Sequence, residues 1–235
     1  MAEQQEGYAV PGFLADTDWL AEHLHDSDIR VVDTDVDAAY QRGHIPGAVL
    51  VSDNYQKDLD TGSVHILPPD KFAVMMESLG IGDDTLVVTY DNDRSLYGAR
   101  LWWALRYYGH EKVKVLNGGW RKWLREGRPV SIDAPEERAG VKFTSRPDGS
   151  LMVTTEELKD ARERQDVLVW DVRSRREYTG ENPRKNRRPG HVPGAAHLEW
   201  LDMMDEETHT FKPADEMRRI LSSNGITPEK DVVTH

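Results

Sequence analysis

The chain has 235 residues, 38% hydrophobic and 31% charged, enough for one large domain or two of about 100–150 residues. A net charge of −12 opposes a nucleic-acid or anionic-membrane surface, and the absence of cysteine excludes a disulfide framework or a thiolate metal site. No apolar run approaches the ~18 residues of a membrane span, and the polar start, Met1 to Gly7, lacks the basic and apolar segments of a secretory signal, so a soluble cytoplasmic protein is expected.

In chain order, short Val- and Ile-rich runs predict buried strands at 29–33 and 48–51. Asp70 to Leu79 follows Pro68-Pro69 and predicts a helix. A strand is predicted at 86–90. Tyr97 to Tyr108 then places Leu101, Trp102, Leu105 and Tyr108 on one helical face and stops at Gly109. A strand at 113–116 and a short helix from Trp120 to Arg125 complete this half. Residues 128–149 carry Pro129, Pro135, Pro147, Gly140 and Gly149 among mixed charges and read as a linker. Afterwards the order returns: a helix near 155–163, strands near 167–171 and 195–197, a helix near 214–223, and a strand beginning near 231. Strands alternating with helices predict an α/β fold, a parallel sheet flanked by helices.

The return is also visible residue by residue. Arg30-Val31-Val32-Asp33 matches Leu168-Val169-Trp170-Asp171, and Gly43-His44-Ile45-Pro46-Gly47-Ala48 matches Gly190-His191-Val192-Pro193-Gly194-Ala195. Ser78-Leu79-Gly80-Ile81 matches Ser223-Asn224-Gly225-Ile226, and Val87-Val88-Thr89-Tyr90 matches Val232-Val233-Thr234-His235. The order is kept, with one nine-residue insertion between the first two matches of the second copy. Two homologous domains follow, 1–127 and 150–235, joined by 128–149. Judged against its own repeat, the second domain is expected to lack about its last third.

In open parallel sheets ligands bind beyond the carboxyl ends of the strands. The predicted strand 86–90 ends at Asp91, just ahead of a helix. Such a loop is an anion cradle of backbone N–H groups, and it would lower the pKa of a thiol placed at its first position. In the first copy that position is Asp91, which cannot carry sulfur; in the second it is position 236.

These residues resemble a two-domain rhodanese, the thiosulfate sulfurtransferase family. The likeness lies in Asp171-Val172-Arg173 with Glu177-Tyr178, in Gly190-His191-Val192-Pro193-Gly194-Ala195, in Val115-Leu116-Asn117-Gly118-Gly119-Trp120, and in Tyr90-Asp91-Asn92-Asp93, which is similar to the family's inactive first-domain loop. The resemblance implies a parallel α/β sheet in each domain and transfer of a sulfane sulfur from thiosulfate to cyanide or another thiophile, through a cysteine persulfide in the second domain. It implies no cofactor or metal. A sister branch uses 3-mercaptopyruvate. The nucleophile is expected at position 236, directly after His235, so the 235 residues alone are expected to be inactive. Related chains often carry a donor-binding arginine where Glu177 stands here, which weighs against the mercaptopyruvate branch.

Asp171 is a supporting candidate near the active loop, or a carboxylate accepting turn N–H groups as Asp33 would. His44 and His191 recur in both copies, which favours a structural turn. From Arg173 to Arg188, seven basic residues face two acidic ones; this is either a rim that draws an anionic donor, with Arg184 or Arg187 ahead of Arg175, or a solvated loop. The Asp91–Ser95 loop reads as an inactive relic. The aromatic group Trp102, Trp103, Tyr107, Tyr108, Trp120 and Trp123 is expected in core and inter-domain packing. Expected partners are a small anionic donor and a thiophile, without nucleic acid or membrane, in a monomer or weak dimer. A phosphatase with a longer Cys-x5-Arg loop and a non-catalytic binding module are the readings from other classes.

Overall fold

The computed structural model describes residues 7–51, 53–58, 60 and 65–235, so residues 1–6 of the polar start lie outside it. The chain divides into two compact units: residues 10–151 with 206–210, and residues 7–9, 152–205 and 211–235. Among the described residues no helix is long and apolar enough to cross a membrane.

The first unit runs β1 (Leu14–Ala15), α1 (Thr17–His23), β2 (Ile29–Asp33), α2 (Asp37–Tyr40), β3 (Val49–Leu50), α3 (Pro69–Ser78), β4 (Leu86–Tyr90), α4 (Leu96–Tyr107), β5 (Val113–Leu116) and α5 (Gly119–Arg125). Its strands form one wholly parallel sheet, ordered β1-β5-β4-β2-β3. Alternation along the central strands buries both faces. Val32 and Val87 join Phe72, Leu101 and Tyr108 on one side, while Val31, Val88 and Tyr90 join Leu20, Ile45 and Trp123 on the other. The aromatic residues from 102 to 123 pack in or against these two cores.

Residues 128–151 belong to the first unit. Phe143 is buried beside Phe72, Arg138 donates to the Ile29 carbonyl (2.8 Å), and the Arg146 N–H donates to Tyr108 O (2.9 Å). The prolines and glycines give this stretch its irregular path, and Phe143, its one buried residue, anchors it.

The second unit holds α6 (Thr155–Ala161), β6 (Val167–Asp171), α7 (Arg175–Thr179), β7 (Ala196–His197), α8 (Ala214–Ser223) and β8 (Asp231–Thr234). Its parallel sheet is ordered β7-β6-β8. Leu168 and Trp170 pack with Leu198, Met203, Ile226 and the apolar side of α8, Met217, Ile220 and Leu221. Thr154 and Glu157 form a capping box at α6, and Ser174 caps α7. The strand order β7-β6-β8 repeats β3-β2-β4 of the first sheet, but the surroundings differ. β4 lies between β2 and β5, whereas β8 pairs only with β6 among the described residues and leaves most of its residues exposed.

Candidate active site at the carboxyl edge of the second sheet

β6 ends at Asp171, which is fully buried. Beside it the backbone of His235 continues the ladder past β8: its N–H donates to Trp170 O (2.8 Å), and its carbonyl accepts from Val172 N (3.0 Å). Arg173 folds back over this edge. Its Nε and Nη2 donate to the two Asp171 carboxylate oxygens (2.9 and 2.5 Å), and Nη2 also donates to Gly190 O (2.9 Å). One guanidinium thus ties the strand end to the turn at Gly190. Burial pushes the Asp171 carboxyl up, but the bonds from Arg173 outweigh it and hold the group below the usual carboxylate range. His235 Nδ1 stands 3.7 Å from Asp171 Oδ2.

His191 stacks on Tyr178 with ring centroids 3.7 Å apart, and its Nδ1 donates to the Tyr178 carbonyl (2.8 Å). The first unit repeats the device: His44 stacks on Tyr40 at 3.9 Å. There both ring nitrogens face carbonyls, Tyr40 O at 3.0 Å and Asp133 O at 3.1 Å. In the second unit Nε2 of His191 has no protein partner among the described residues, and the ring borders a cavity of about 640 Å³. Arg173, Arg187, Arg188, Gly190 and His235 also line it, and no acidic side chain does. Three guanidiniums and two imidazoles beside a strand end suit a small anion.

Among the residues singled out by the sequence, Asp171 and Arg187 come to this edge, Asp171 beneath it and Arg187 in the wall. Arg184 does not line the cavity. It adopts a left-handed backbone (φ 47°) and places Nε 2.6 Å from Glu177 Oε1. Burial works against the Glu177 charge, yet Ser174 and Arg184 hold its carboxyl below the usual range. Arg188, His191 and His235 complete the wall. The available signal was their place at the ends of the repeated strand and turn, which marks one edge of the sheet.

Asp91 directly follows β4 in the first unit and is buried. Its carboxylate accepts the N–H groups of Asp93 (2.7 Å), Ser95 (2.9 Å) and Gly98 (2.7 Å), so it fills the cradle ahead of α4 with its own charge. Burial raises its pKa against those N–H bonds. The neighbouring cavity, about 450 Å³, is lined by Asp33, Asp35, Arg42, Asn92 and Trp120 among others. Burial, followed by the charges of Asp33 and Asp91, pushes Asp35 up to about 7.

The pattern of the rhodanese-like domain matches residues 16–126 and 154–235. The sulfur carrier protein TtuD of Thermus thermophilus is 36% identical over 242 residues, covering 97% of this chain and 84% of that protein. The putative thiosulfate sulfurtransferase 1 of Mycobacterium bovis is 31% identical over 232 residues, covering 94% and 82%. Among solved structures, SseA from Escherichia coli, one of the 3-mercaptopyruvate sulfotransferases, superposes with a TM-score of 0.84 at 29% identity, covering 94% of this chain and 87% of its own. The chain belongs to the rhodanese-like family, and its relatives include sulfurtransferases.

Proposed function

We propose that the second unit is the catalytic half of a sulfurtransferase that moves a sulfane sulfur from thiosulfate to cyanide or another thiophile. The cationic cavity against the end of β8 is the observation that carries this reading. The nucleophile is a cysteine directly after His235, the place Asp91 holds in the first repeat. Its thiolate attacks the outer sulfur of thiosulfate. The S–S bond breaks, sulfite leaves with the electron pair, and a persulfide remains. The thiophile then attacks the outer sulfur, and the cysteine leaves as a thiolate. Both steps are displacements at sulfur and call for no cofactor.

Arg187, with Arg188 beside it, neutralises the donor dianion. Asp171 is a positioning residue: it holds Arg173, and through it the Gly190 turn. Arg184, engaged by Glu177, shapes the loop that presents Arg187. Asp91 is the fixed anion of an inactive counterpart. The 235 residues hold no thiol and alone give no turnover.

The test is a steady-state comparison of thiosulfate and 3-mercaptopyruvate as donors, with cyanide as acceptor, on the natural protein. The reading expects thiosulfate turnover whose KM rises about tenfold in Arg187→Glu at low salt. Turnover with 3-mercaptopyruvate alone would replace the donor, and an unchanged KM would remove Arg187 from its role.

A further inference from the structure

The internal repeat supplies a control for the basic strip. Asp33 and Asp171 are equivalent, as are Tyr40 and Tyr178, the members of each pair standing 138 positions apart. Asp35, Asp37 and Ala38 therefore stand where Arg173, Arg175 and Arg176 stand. Helices α2 and α7 occupy the same place in the two units, each followed by the same Tyr–His stack. The same architecture forms with two aspartates and an alanine there, so the fold does not require the basic residues.

A small donor does not require all of them either. Arg173 is engaged by Asp171 and Arg184 by Glu177, while Arg187 and Arg188 line the cavity. Arg175, Arg176 and Lys185 are exposed, lie outside the cavity wall and make no ion pair among the described residues. Glu181, which accepts from the Thr179 hydroxyl at 3.1 Å, is the one acidic side chain of the strip outside the Glu177–Arg184 pair, and a single carboxylate does not offset three unpaired cations beside two more. A ligand larger than the cavity, and negative, would.

We propose that Arg175, Arg176 and Lys185 form a docking rim for an acidic protein segment that reaches the cavity mouth to deliver or accept sulfur. What the partner carries rests on the sulfur-transfer reading, but the surface does not. Single-stranded RNA fits less well, because such sites need aromatic faces for stacking. The aromatic ring beside the strip, Tyr178, is taken up by His191 at 3.7 Å and His197 at 4.5 Å.

The experiment measures binding of fluorescein-labelled octaglutamate by anisotropy at low salt, alongside thiosulfate binding by calorimetry. The triple variant Arg175→Glu, Arg176→Glu, Lys185→Glu should weaken octaglutamate at least about tenfold and change thiosulfate affinity less than about twofold. Arg175→Lys with Arg176→Lys should retain the peptide. Octaglutamate binding that ignores the triple reversal would overturn the proposal, as would tighter binding of an oligouridylate of equal charge. If octaglutamate binds through the strip while thiosulfate does not bind at all, the docking rim stands and the donor assignment fails.

Discussion

Asp171 and Arg173 show how much one buried ion pair governs here. The carboxylate is fully buried, and its charge is sustained by a guanidinium that also holds the Gly190 turn. Arg173→Met leaves that charge without its partner and should cost the second unit about 3 kcal/mol, read as faster hydrogen exchange of the β6 amides. The Asp171 carboxyl lies lower in the folded chain than in the unfolded one. Its contribution to stability is therefore present above the unfolded pKa of about 3.9 and is lost as pH falls through the folded value. Arg173→Met should abolish this acid-limb loss. At this scale the sequence was only partly legible. Arg187 was visible as one of a run of cations, but Arg184, three residues earlier, was indistinguishable from it. The choice between them depends on Glu177, whose pairing is a matter of the turn made by residues 180–184.

At the scale of elements, the loop from Asp91 into α4 is closed by its own aspartate. Asp91→Ala would strip the N–H groups of Asp93, Ser95 and Gly98 of their acceptor, an expected loss of about 2–4 kcal/mol in the first unit. The opposite wall is Gly119, at φ 52°, where an added Cβ would overlap the Asp91 carbonyl. Gly119→Ala should therefore destabilise the same unit by about 2 kcal/mol or more, seen as a lower urea midpoint. Asp35 gives this loop a pH dependence of the other sign. With a folded pKa of about 7, the folded state holds a proton that the unfolded state has released, so first-unit stability falls as pH rises from about 4 to 7. Asp35→Asn should flatten that slope in urea unfolding followed between those pH values; an unchanged slope would contradict the assignment. The longer elements were legible because apolar periodicity and buried Val-rich runs define them. β1, of two residues, is too short for a period, and α7 was hidden in the basic strip, although Ser174 and Glu177 stand at capping-box spacing.

For the whole molecule, one architecture appears twice with opposite electrostatics. The first unit places Asp33 at the end of β2, with Asp35 and Asp91 just past the ends of β2 and β4, and the second gathers Arg173, Arg187, Arg188, His191 and His235 at the same edge. The two-domain repeat was legible because Gly-His-x-Pro-Gly-Ala and the strand ends recur in order. The attachment of 128–151 to the first unit was not, because Phe143 is its one buried side chain and the other ties are hydrogen bonds such as those of Arg138 and Arg146, amid prolines, glycines and charges. In the proposed function the charge contrast is what favours the second unit, where a thiol after His235 would face the cationic cavity. The most direct measurement is mass spectrometry of the natural protein after exposure to thiosulfate, with the persulfide mapped by peptide. Added mass of one sulfur atom on a cysteine directly following His235, removed by cyanide, is the predicted result. A different residue at that position, or sulfur carried elsewhere, would contradict the account.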